Sequence, residues 1–355
     1  MLYHLLYELL DINLFKYITF RGFYALITSF GISLILGPYI IRRLKIFQYK
    51  EGGYVREYTP DTHIAKKHTP TMGGILIILS VLVSSLLWCR LDNFYVWLVI
   101  FVLVSFAFLG GLDDYLKITK KRGLSTRTKF LWQLIIAFTA SFFLYLYPKY
   151  DSILYFPFLK DVYLDLGILY IPFMIFIIVG ASNAVNLTDG LDGLAIGPSL
   201  ISISAFAFFA YVAGHSKIAG YLHLPHISGS GELTVLMMAL LGAGLGFLWF
   251  NSFPAEMFMG DAGSLSIGAV LGTVSIITKQ EFVLAIVGGV FVAETLSVIA
   301  QVAYFKATGG KRLFKRAPIH HHFELLGIPE PKIVVRVWII SIILAIIALS
   351  TLKIR

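Results

Sequence analysis

Long apolar runs separated by short polar segments recur along the whole chain. A run of about 20 apolar residues is what an α-helix needs to cross the roughly 30 Å hydrocarbon core of a membrane. The pattern therefore predicts an all-α polytopic membrane protein with about ten transmembrane helices, forming a single domain over residues 1–355. The predicted spans lie near 23–41, 73–89, 94–111, 130–147, 166–182, 194–213, 233–250, 263–278, 282–305 and 333–352.

Composition supports this class and excludes several others. Of the 355 residues, 58% are hydrophobic and only 14% are charged, which is more apolar sequence than a soluble domain of this length needs. The single cysteine, Cys89, excludes an internal disulfide and any metal cage built from cysteines.

The distribution of charge predicts the orientation. A net charge of +9 could suggest nucleic-acid binding, but in membrane proteins Lys and Arg collect in cytoplasmic loops. Here they are concentrated in the loops at 42–72, 112–129 and 306–332, whereas the opposite face has few. We therefore expect these loops, with those at 183–193 and 251–262, to face the cytoplasm, both termini to lie outside, and no nucleic acid to bind.

Five aspartates lie at the ends of apolar spans on the predicted cytoplasmic face: Asp113, Asp114, Asp189, Asp192 and Asp261. Carboxylates beside hydrocarbon are costly unless they are neutralised or used. If the fold brings them together, their repulsion calls for a hard divalent cation such as Mg²⁺, carrying a phosphorylated substrate.

Each aspartate motif also has a purely structural interpretation. Asp113 could form an interfacial ion pair with Lys117 one helical turn later. Thr188 or Asp189 could cap a helix that begins there, in which case Asp189 and Asp192 would share a face. Capping explains one acid but not four polar side chains within ten residues, so we favour ligand binding for that segment. The four residues are Asn183, Asn186, Asp189 and Asp192.

Two further groups of polar residues are weaker signals. Glu294 and Gln301 are seven residues apart on one helical face, which fits interhelical hydrogen bonding as well as function, and Gly288–Gly289 predicts a bend. The run His320, His321 and His322 cannot easily place three ligands on one ion, so phosphate or sugar contact is preferred to zinc.

Taken together, five segments resemble the phospho-N-acetylmuramoyl-pentapeptide transferase family over essentially the full length. They are Lys-Lys-His-Thr-Pro-Thr-Met-Gly-Gly (66–74), Asp-Asp-x-x-Lys (113–117), Asn-Ala-Val-Asn-Leu-Thr-Asp-Gly-Leu-Asp-Gly-Leu-Ala (183–195), Phe-Met-Gly-Asp (258–261) and Ala-Pro-Ile-His-His-His-Phe-Glu (317–324).

The resemblance implies a Mg²⁺-dependent reaction in the bacterial inner membrane, at a cytoplasmic cleft. UDP-N-acetylmuramoyl-pentapeptide and undecaprenyl phosphate would give lipid I and UMP, and the enzyme would be a homodimer surrounded by membrane lipid. Asp261 would bind the metal, while Asp113 and Asp114 would handle the lipid phosphate, with Asp113 the first choice for a base. Direct attack and a covalent aspartyl intermediate both remain open.

The resemblance also implies the substrate contacts. Asn186, Asp189 and Asp192 would lie on the nucleotide side, and Phe258 would stack on uracil. Residues expected to hold phosphate, sugar or peptide, or to add polar contacts, are Lys66, Thr71, Lys117, Lys129, Asn251, Gln301, His320, His321 and His322.

Two alternatives remain. A transferase of N-acetylglucosamine phosphate to the same kind of carrier would share the acids but should differ in the basic cytoplasmic loops. A transporter would place ionisable residues near mid-membrane and often shows inverted repeats. Here the acids lie at one face, no repeat is visible, and only Glu294 is a deep candidate.

Overall fold

The computed structural model describes residues 1–50, 69–148, 150–159 and 162–353. Within them the chain is mostly helical. The helices are α1 (Ile18–Lys50), α2 (Gly74–Trp88), α3 (Phe94–Lys120), α4 (Thr126–Tyr145), α5 (Tyr170–Thr188), α6 (Ile196–Gly214), α7 (Ser216–Tyr221), α8 (Glu232–Asn251), α9 (Gly260–Ile277), α10 (Glu281–Val287), α11 (Gly289–Ala307), α12 (Ile319–Glu324) and α13 (Glu330–Ser350).

The prediction of a multi-span helical protein is confirmed. Among the described residues, nine helices are long and apolar enough to cross a membrane. The second predicted span is α2, an apolar helix of 15 residues. At 1.5 Å per residue it is about 22 Å long, which is shorter than the roughly 30 Å hydrocarbon core. Nine of the ten predicted spans therefore correspond to helices of membrane-spanning length among the described residues.

Helix α9 is the centre of the bundle. All of its residues are buried, and α2, α3, α5 and α6 pack around it. By contrast, α11 and α13 keep most of their apolar side chains on the surface, as expected for helices that face lipid. The first turn of α9 carries Asp261, so the central helix also delivers a candidate site residue to one end of the bundle.

Buried ion pairs mark the end of the bundle that lies opposite the aspartates. At the end opposite the aspartates, the buried Arg21 guanidinium donates two hydrogen bonds to Glu232, at 2.7 and 2.6 Å. At the same end, the fully buried ammonium of Lys279 lies 2.9 Å from Asp151 and donates to the Ile153 carbonyl at 3.1 Å. Burial lowers the pKa of Lys279, although the Asp151 carboxylate opposes the shift.

The all-α prediction needs one correction. Two short strands, β1 (Ile153–Tyr155) and β2 (Tyr163–Asp165), pair antiparallel with Ile153 opposite Asp165. Strands of three residues are too short to produce a recognisable alternation in the sequence. They lie in the connection between α4 and α5, next to Lys279.

Several helix ends differ from the predicted ends in a way that matters for the site. Helix α3 continues to Lys120, so Asp113 and Asp114 are on a helix and not in a loop. Helix α9 begins at Gly260, three residues earlier than predicted. A hydropathy pattern ends a span where polar residues begin, but the backbone can continue as helix beyond that point.

The segment around Asp189 also differs. Helix α5 ends at Thr188 and α6 begins only at Ile196, with Ala195 before it making no side-chain cap. Asp189 and Asp192 therefore lie in a turn between two helices, and the interpretation of Thr188 or Asp189 as an N-cap is wrong. The predicted break at Gly288–Gly289 is confirmed, since α10 ends at Val287 and α11 starts at Gly289.

Candidate active site

Three aspartates and two lysines meet at one end of α3, α4 and α9. The Nζ atom of Lys117 lies 2.8 Å from Asp113, 3.4 Å from Asp114 and 2.8 Å from Asp261. Lys129, on the first turns of α4, lies 3.2 Å from Asp113 and also contacts Asp261. The predicted pairing of Asp113 with Lys117 is confirmed, and the two lysines connect all three acids.

Backbone groups hold the acids in place. Asp113 accepts a hydrogen bond from the Leu124 amide at 2.6 Å, and Asp114 accepts one from the Ala262 amide at 3.2 Å. The backbone groups at Leu124 and Ala262 gave no sequence signal of their own, although Gly123 and Gly263 beside them mark close backbone approach. All three acids are buried, with side-chain exposures of 3%, 4% and 9% for Asp113, Asp114 and Asp261.

Asn186 connects this cluster to α5. Its Nδ2 donates to Asp261 Oδ1 at 2.9 Å and to the Ser264 hydroxyl at 2.8 Å. The two carboxylate oxygens of Asp261 therefore have different partners: Oδ1 accepts from the Asn186 amide, and Oδ2 faces the two lysines. Ser264 was not predicted from the sequence, where a lone serine near the start of a span carries no signal.

Charge balance defines what the cluster can accept. At their formal charges, three carboxylates and two ammonium groups leave one net negative charge in a partly buried site. Phosphate groups brought to this place would add negative charge, so cations have to accompany them or the lysines have to turn toward them. The cluster is suited to bind phosphates together with a cation rather than phosphates alone.

A metal site made by the protein alone is not present in the part of the chain that the structure describes, where no group of three or more His, Cys, Asp and Glu side chains is arranged to hold an ion. Mg²⁺, however, is commonly bound through one or two carboxylates together with substrate phosphates. Asp261 fits that shared mode of binding, because Asn186 orients its carboxylate and its second oxygen faces the two lysines.

The segments that immediately precede α2 and α9 pair with each other by backbone hydrogen bonds. Phe258 N donates to the Pro70 carbonyl, and the Gly73 amide donates to the Phe258 carbonyl, each at 2.8 Å. Thr71 thereby lies beside Gly260, whose φ of +74° favours glycine. Phe258 is half-buried at the edge of the site, whereas Lys66 lies outside the described residues and its predicted role stays a prediction.

Asp192 and Asn251 connect neighbouring loops. Asp192 Oδ2 accepts from the Ala255 amide at 3.0 Å, and its own amide donates to Glu330 at 2.8 Å. Asn251 accepts from the Gly193 amide and donates to the Met257 carbonyl. Both side chains are buried and hold the loops around α6 and α9, while Asp189 is half-buried in the same turn.

The three histidines have three different partners. His320 Nδ1 lies 3.1 Å from Glu294 Oε2, His321 Nδ1 lies 2.6 Å from Glu324 Oε2, and His322 Nδ1 accepts from the Lys315 amide at 3.2 Å. Burial lowers the pKa of His321, although hydrogen bonding to Glu324 opposes the shift. This divergence agrees with the expectation that the triplet does not bind one ion.

His320 packs against the turn between α5 and α6. Its ring is buried and its Nε2 faces Gly190, where an added Cβ would lie only 2.2 Å away. Gln301 is farther along α11, and its side-chain oxygen accepts from the Phe314 amide at 2.8 Å. The structure thus brings six of the predicted residues into one cluster: Asp113, Asp114, Asp261, Lys117, Lys129 and Asn186. His320 packs against Gly190, in the turn that follows the helix of Asn186.

Comparison with known proteins agrees with this arrangement. Residues 96–279 match the family model for glycosyl transferase family 4, and residues 66–78 match the phospho-N-acetylmuramoyl-pentapeptide-transferase signature 1. The matched range contains the α3, α4, α5 and α9 residues of the cluster.

Full-length relatives carry the same name. A phospho-N-acetylmuramoyl-pentapeptide-transferase of Aquifex aeolicus is 58% identical, with all of both chains covered. Those of Desulfotalea psychrophila and Citrifermentans bemidjiense are 55% and 53% identical, also over the whole of both chains. At such identity over the complete length, this chain belongs to the phospho-N-acetylmuramoyl-pentapeptide transferase family.

Proposed function

We propose that this protein transfers phospho-N-acetylmuramoyl-pentapeptide from its UDP donor to undecaprenyl phosphate, giving lipid I and UMP for peptidoglycan synthesis. The observation that carries the proposal is the convergence of Asp113, Asp114 and Asp261 with Lys117 and Lys129 at one end of the helix bundle. Family membership supplies the substrates, and the cluster supplies groups that suit phosphoryl transfer.

The chain's own residues divide the work as follows. Lys117 and Lys129 neutralise phosphate oxygens. The carboxylates of Asp113 and Asp261 hold both ammonium groups in a partly buried site, where a positive charge stabilises a phosphate more strongly than it would in water. Asp113, held by the Leu124 amide and both lysines, is positioned to accept a proton from the lipid phosphate. Asn186 orients Asp261 so that Oδ2 faces the reacting groups.

Mg²⁺ is the cofactor in this proposal, with Asp261 as its protein ligand. The cation would supply charge neutralisation at the donor's pyrophosphate and at the departing UMP. Asp189 and Asp192 lie in the turn that would meet the nucleotide, and Phe258 lies at the edge of the site where a base can stack.

Orientation and location follow the charge pattern. We place the protein in the bacterial inner membrane with the cluster at the cytoplasmic face, because the soluble donor is made there and the basic loops at 112–129 and 306–332 are on that side. The homodimer stays a prediction of the resemblance, to be tested by mass measurement in detergent.

The decisive assay is UMP release by the purified protein in detergent with undecaprenyl phosphate, with and without Mg²⁺. UDP-N-acetylmuramoyl-pentapeptide and UDP-N-acetylglucosamine are compared as donors. Release that requires Mg²⁺ and the first donor is expected. Release with the second donor alone would move the protein to the sister activity, and release with neither from folded protein would refute the proposal.

A variant tests the role of Asp261. Asp261→Asn should reduce UMP release to background, because the amide cannot replace a carboxylate ligand, while the thermal unfolding midpoint stays close to that of the wild type. Asp165→Asn, at an exposed position at the opposite end of the bundle, is the matched control and should keep full activity. Full activity of a folded Asp261→Asn sample would remove this residue from the metal site.

A further inference from the structure

A basic cavity lies at the C-terminal end of α11, next to the short helix α12 that carries the three histidines. It has a volume of about 740 Å³ and is formed by the C-terminal half of α11 and the segment that connects α11 to α12. Its polar wall contains Lys306, Arg312, Lys315 and Arg316, and no carboxylate belongs to its described lining. Val298, Val302 and Phe305 form an apolar wall on the same helix face.

Hydrogen bonds hold the walls of the cavity in position. Gln301 accepts from the Phe314 amide at 2.8 Å, which fixes the connecting segment against α11. Lys315 Nζ donates to the Leu325 carbonyl at 3.0 Å, and Arg312 donates to the Lys315 carbonyl at 3.4 Å. The cavity is therefore a built feature of the fold, with cationic groups on one wall.

The cavity connects to the nucleotide side of the active site. Its wall residue Lys315 contacts His322, and His320 of the same short helix packs against Gly190, between Asp189 and Asp192. The aspartates expected to handle the lipid phosphate, Asp113 and Asp114, are on α3 and are reached through Lys117 and Lys129. A ligand group in the cavity would thus extend from the donor and not from the lipid carrier.

We propose that this cavity binds the carboxylate end of the donor's peptide and so contributes to donor specificity. The inference rests on the proposed function. A pentapeptide joined through its N-terminus to the sugar keeps a free C-terminal carboxylate, and when extended it reaches about 17 Å from the point of attachment. That reach allows the carboxylate to bind at a distance from the reacting phosphates.

The chemistry of the walls fits this ligand. Arginine guanidinium groups pair with carboxylates through two parallel hydrogen bonds, and Arg312 and Arg316 both line the cavity. The apolar wall of Val298, Val302 and Phe305 can cover the small side chains and backbone of a peptide. N-acetylglucosamine phosphate has no such carboxylate, so the cavity would distinguish the two donors of the competing reactions.

The test compares two donors that differ only at the peptide's end, one with the C-terminal carboxylate and one with a carboxamide. Kinetic constants for UMP release are measured with wild type, Arg312→Gln and Arg316→Gln. For wild type, kcat/KM should fall about tenfold or more with the carboxamide donor, as expected for loss of a charged hydrogen bond. The arginine variants should lower kcat/KM for the carboxylate donor similarly and discriminate little between the donors.

Controls separate this effect from misfolding and from lipid binding. Arg127→Gln changes an exposed arginine outside the cavity and should discriminate between the donors as wild type does. Arg312→Lys keeps the charge and should restore part of the discrimination. The KM for undecaprenyl phosphate should be unchanged in all variants.

Three outcomes would overturn the inference while leaving the proposed function intact. They are equal use of both donors by wild type, unchanged discrimination in both arginine variants, and a selective rise in KM for undecaprenyl phosphate, which would assign the cavity to the lipid phosphate. Absence of UMP release from wild type with either donor would instead refute the proposed function itself.

Discussion

Glu294 is a carboxylate in the middle of an apolar helix, and its partner explains how it is tolerated there. Only 2% of the residue is exposed, and Oε2 lies 3.1 Å from His320 Nδ1. With Nδ1 of the His320 ring facing the Glu294 carboxyl group, the Nε2 atom is directed at Gly190. Glu294 thus fixes the orientation of a histidine beside the turn that contains Asp189 and Asp192.

Removal of this partner should affect both folding and turnover. In Glu294→Ala the buried Nδ1 of His320 loses its hydrogen-bonding partner, and we expect a destabilisation of about 1–3 kcal/mol together with slower UMP release. Glu294→Gln keeps an acceptor oxygen and should be milder in both respects. Thermal unfolding and UMP release measure the two effects, and equal behaviour of Ala and Gln variants would contradict the positioning role.

At the level of helices, close packing against α9 determines where Asp261 lies. A Cβ added at Gly110 of α3 would be 2.3 Å from the Asp261 carbonyl oxygen, and one at Gly74 of α2 would be 2.2 Å from the Gly263 amide nitrogen. Such distances are possible only for glycine. Helices α2 and α3 can therefore approach the first turn of α9 closely enough to bring Thr71, Asp114 and Asp261 together.

Two neighbouring glycines provide a matched test of this packing. Gly110→Ala should displace the start of α9, with a cost of about 1–3 kcal/mol and a large loss of UMP release, because backbone atoms cannot move aside. At Gly111 an added Cβ would meet Ala262 Cβ at 3.8 Å, an ordinary contact, so Gly111→Ala should be neutral or slightly stabilising. If both variants were equally active and stable, the close approach at Gly110 would not be what positions Asp261.

For the molecule as a whole, the orientation in the membrane links the chemistry to its substrates. The contacts described above collect the loops after α3, α5 and α8 at one end, with the candidate site. Arg21, Glu232 and Lys279 lie at the other end. The positive-inside rule predicts that the end with the candidate site faces the cytoplasm, because the basic loops lie at that end.

Cysteine labelling tests that orientation directly. Cys89 is buried, so a Cys89→Ala background can carry single cysteines at exposed positions. We expect Lys217→Cys to react with a membrane-impermeant maleimide in intact spheroplasts and Lys121→Cys to react only after permeabilisation, since these exposed residues lie at opposite ends. The reverse pattern would invert the topology and place the candidate site outside, away from a cytoplasmic donor.

Much of this architecture was determined by the sequence alone. Hydropathy predicts the spans, because a bilayer requires about 20 apolar residues per helix, and the Lys and Arg distribution predicts the orientation. The spacing of Asp113 and Lys117 predicts their contact, since i and i+4 residues are neighbours on any helix. The family resemblance identified the acids and the histidine run as candidates together.

Only the tertiary structure decided which distant residues meet. Lys117 and Asp261 are 144 positions apart, and His320 and Glu294 belong to separate helices, so their contacts depend on how the helices pack and where their backbones continue past the apolar core. The same packing places Asn251 and Gln301 in hydrogen bonds between loops and creates the basic cavity beside α11. Periodicity and composition report local environment, whereas long-range contacts depend on side-chain fit between helices, here especially on the glycines around α9.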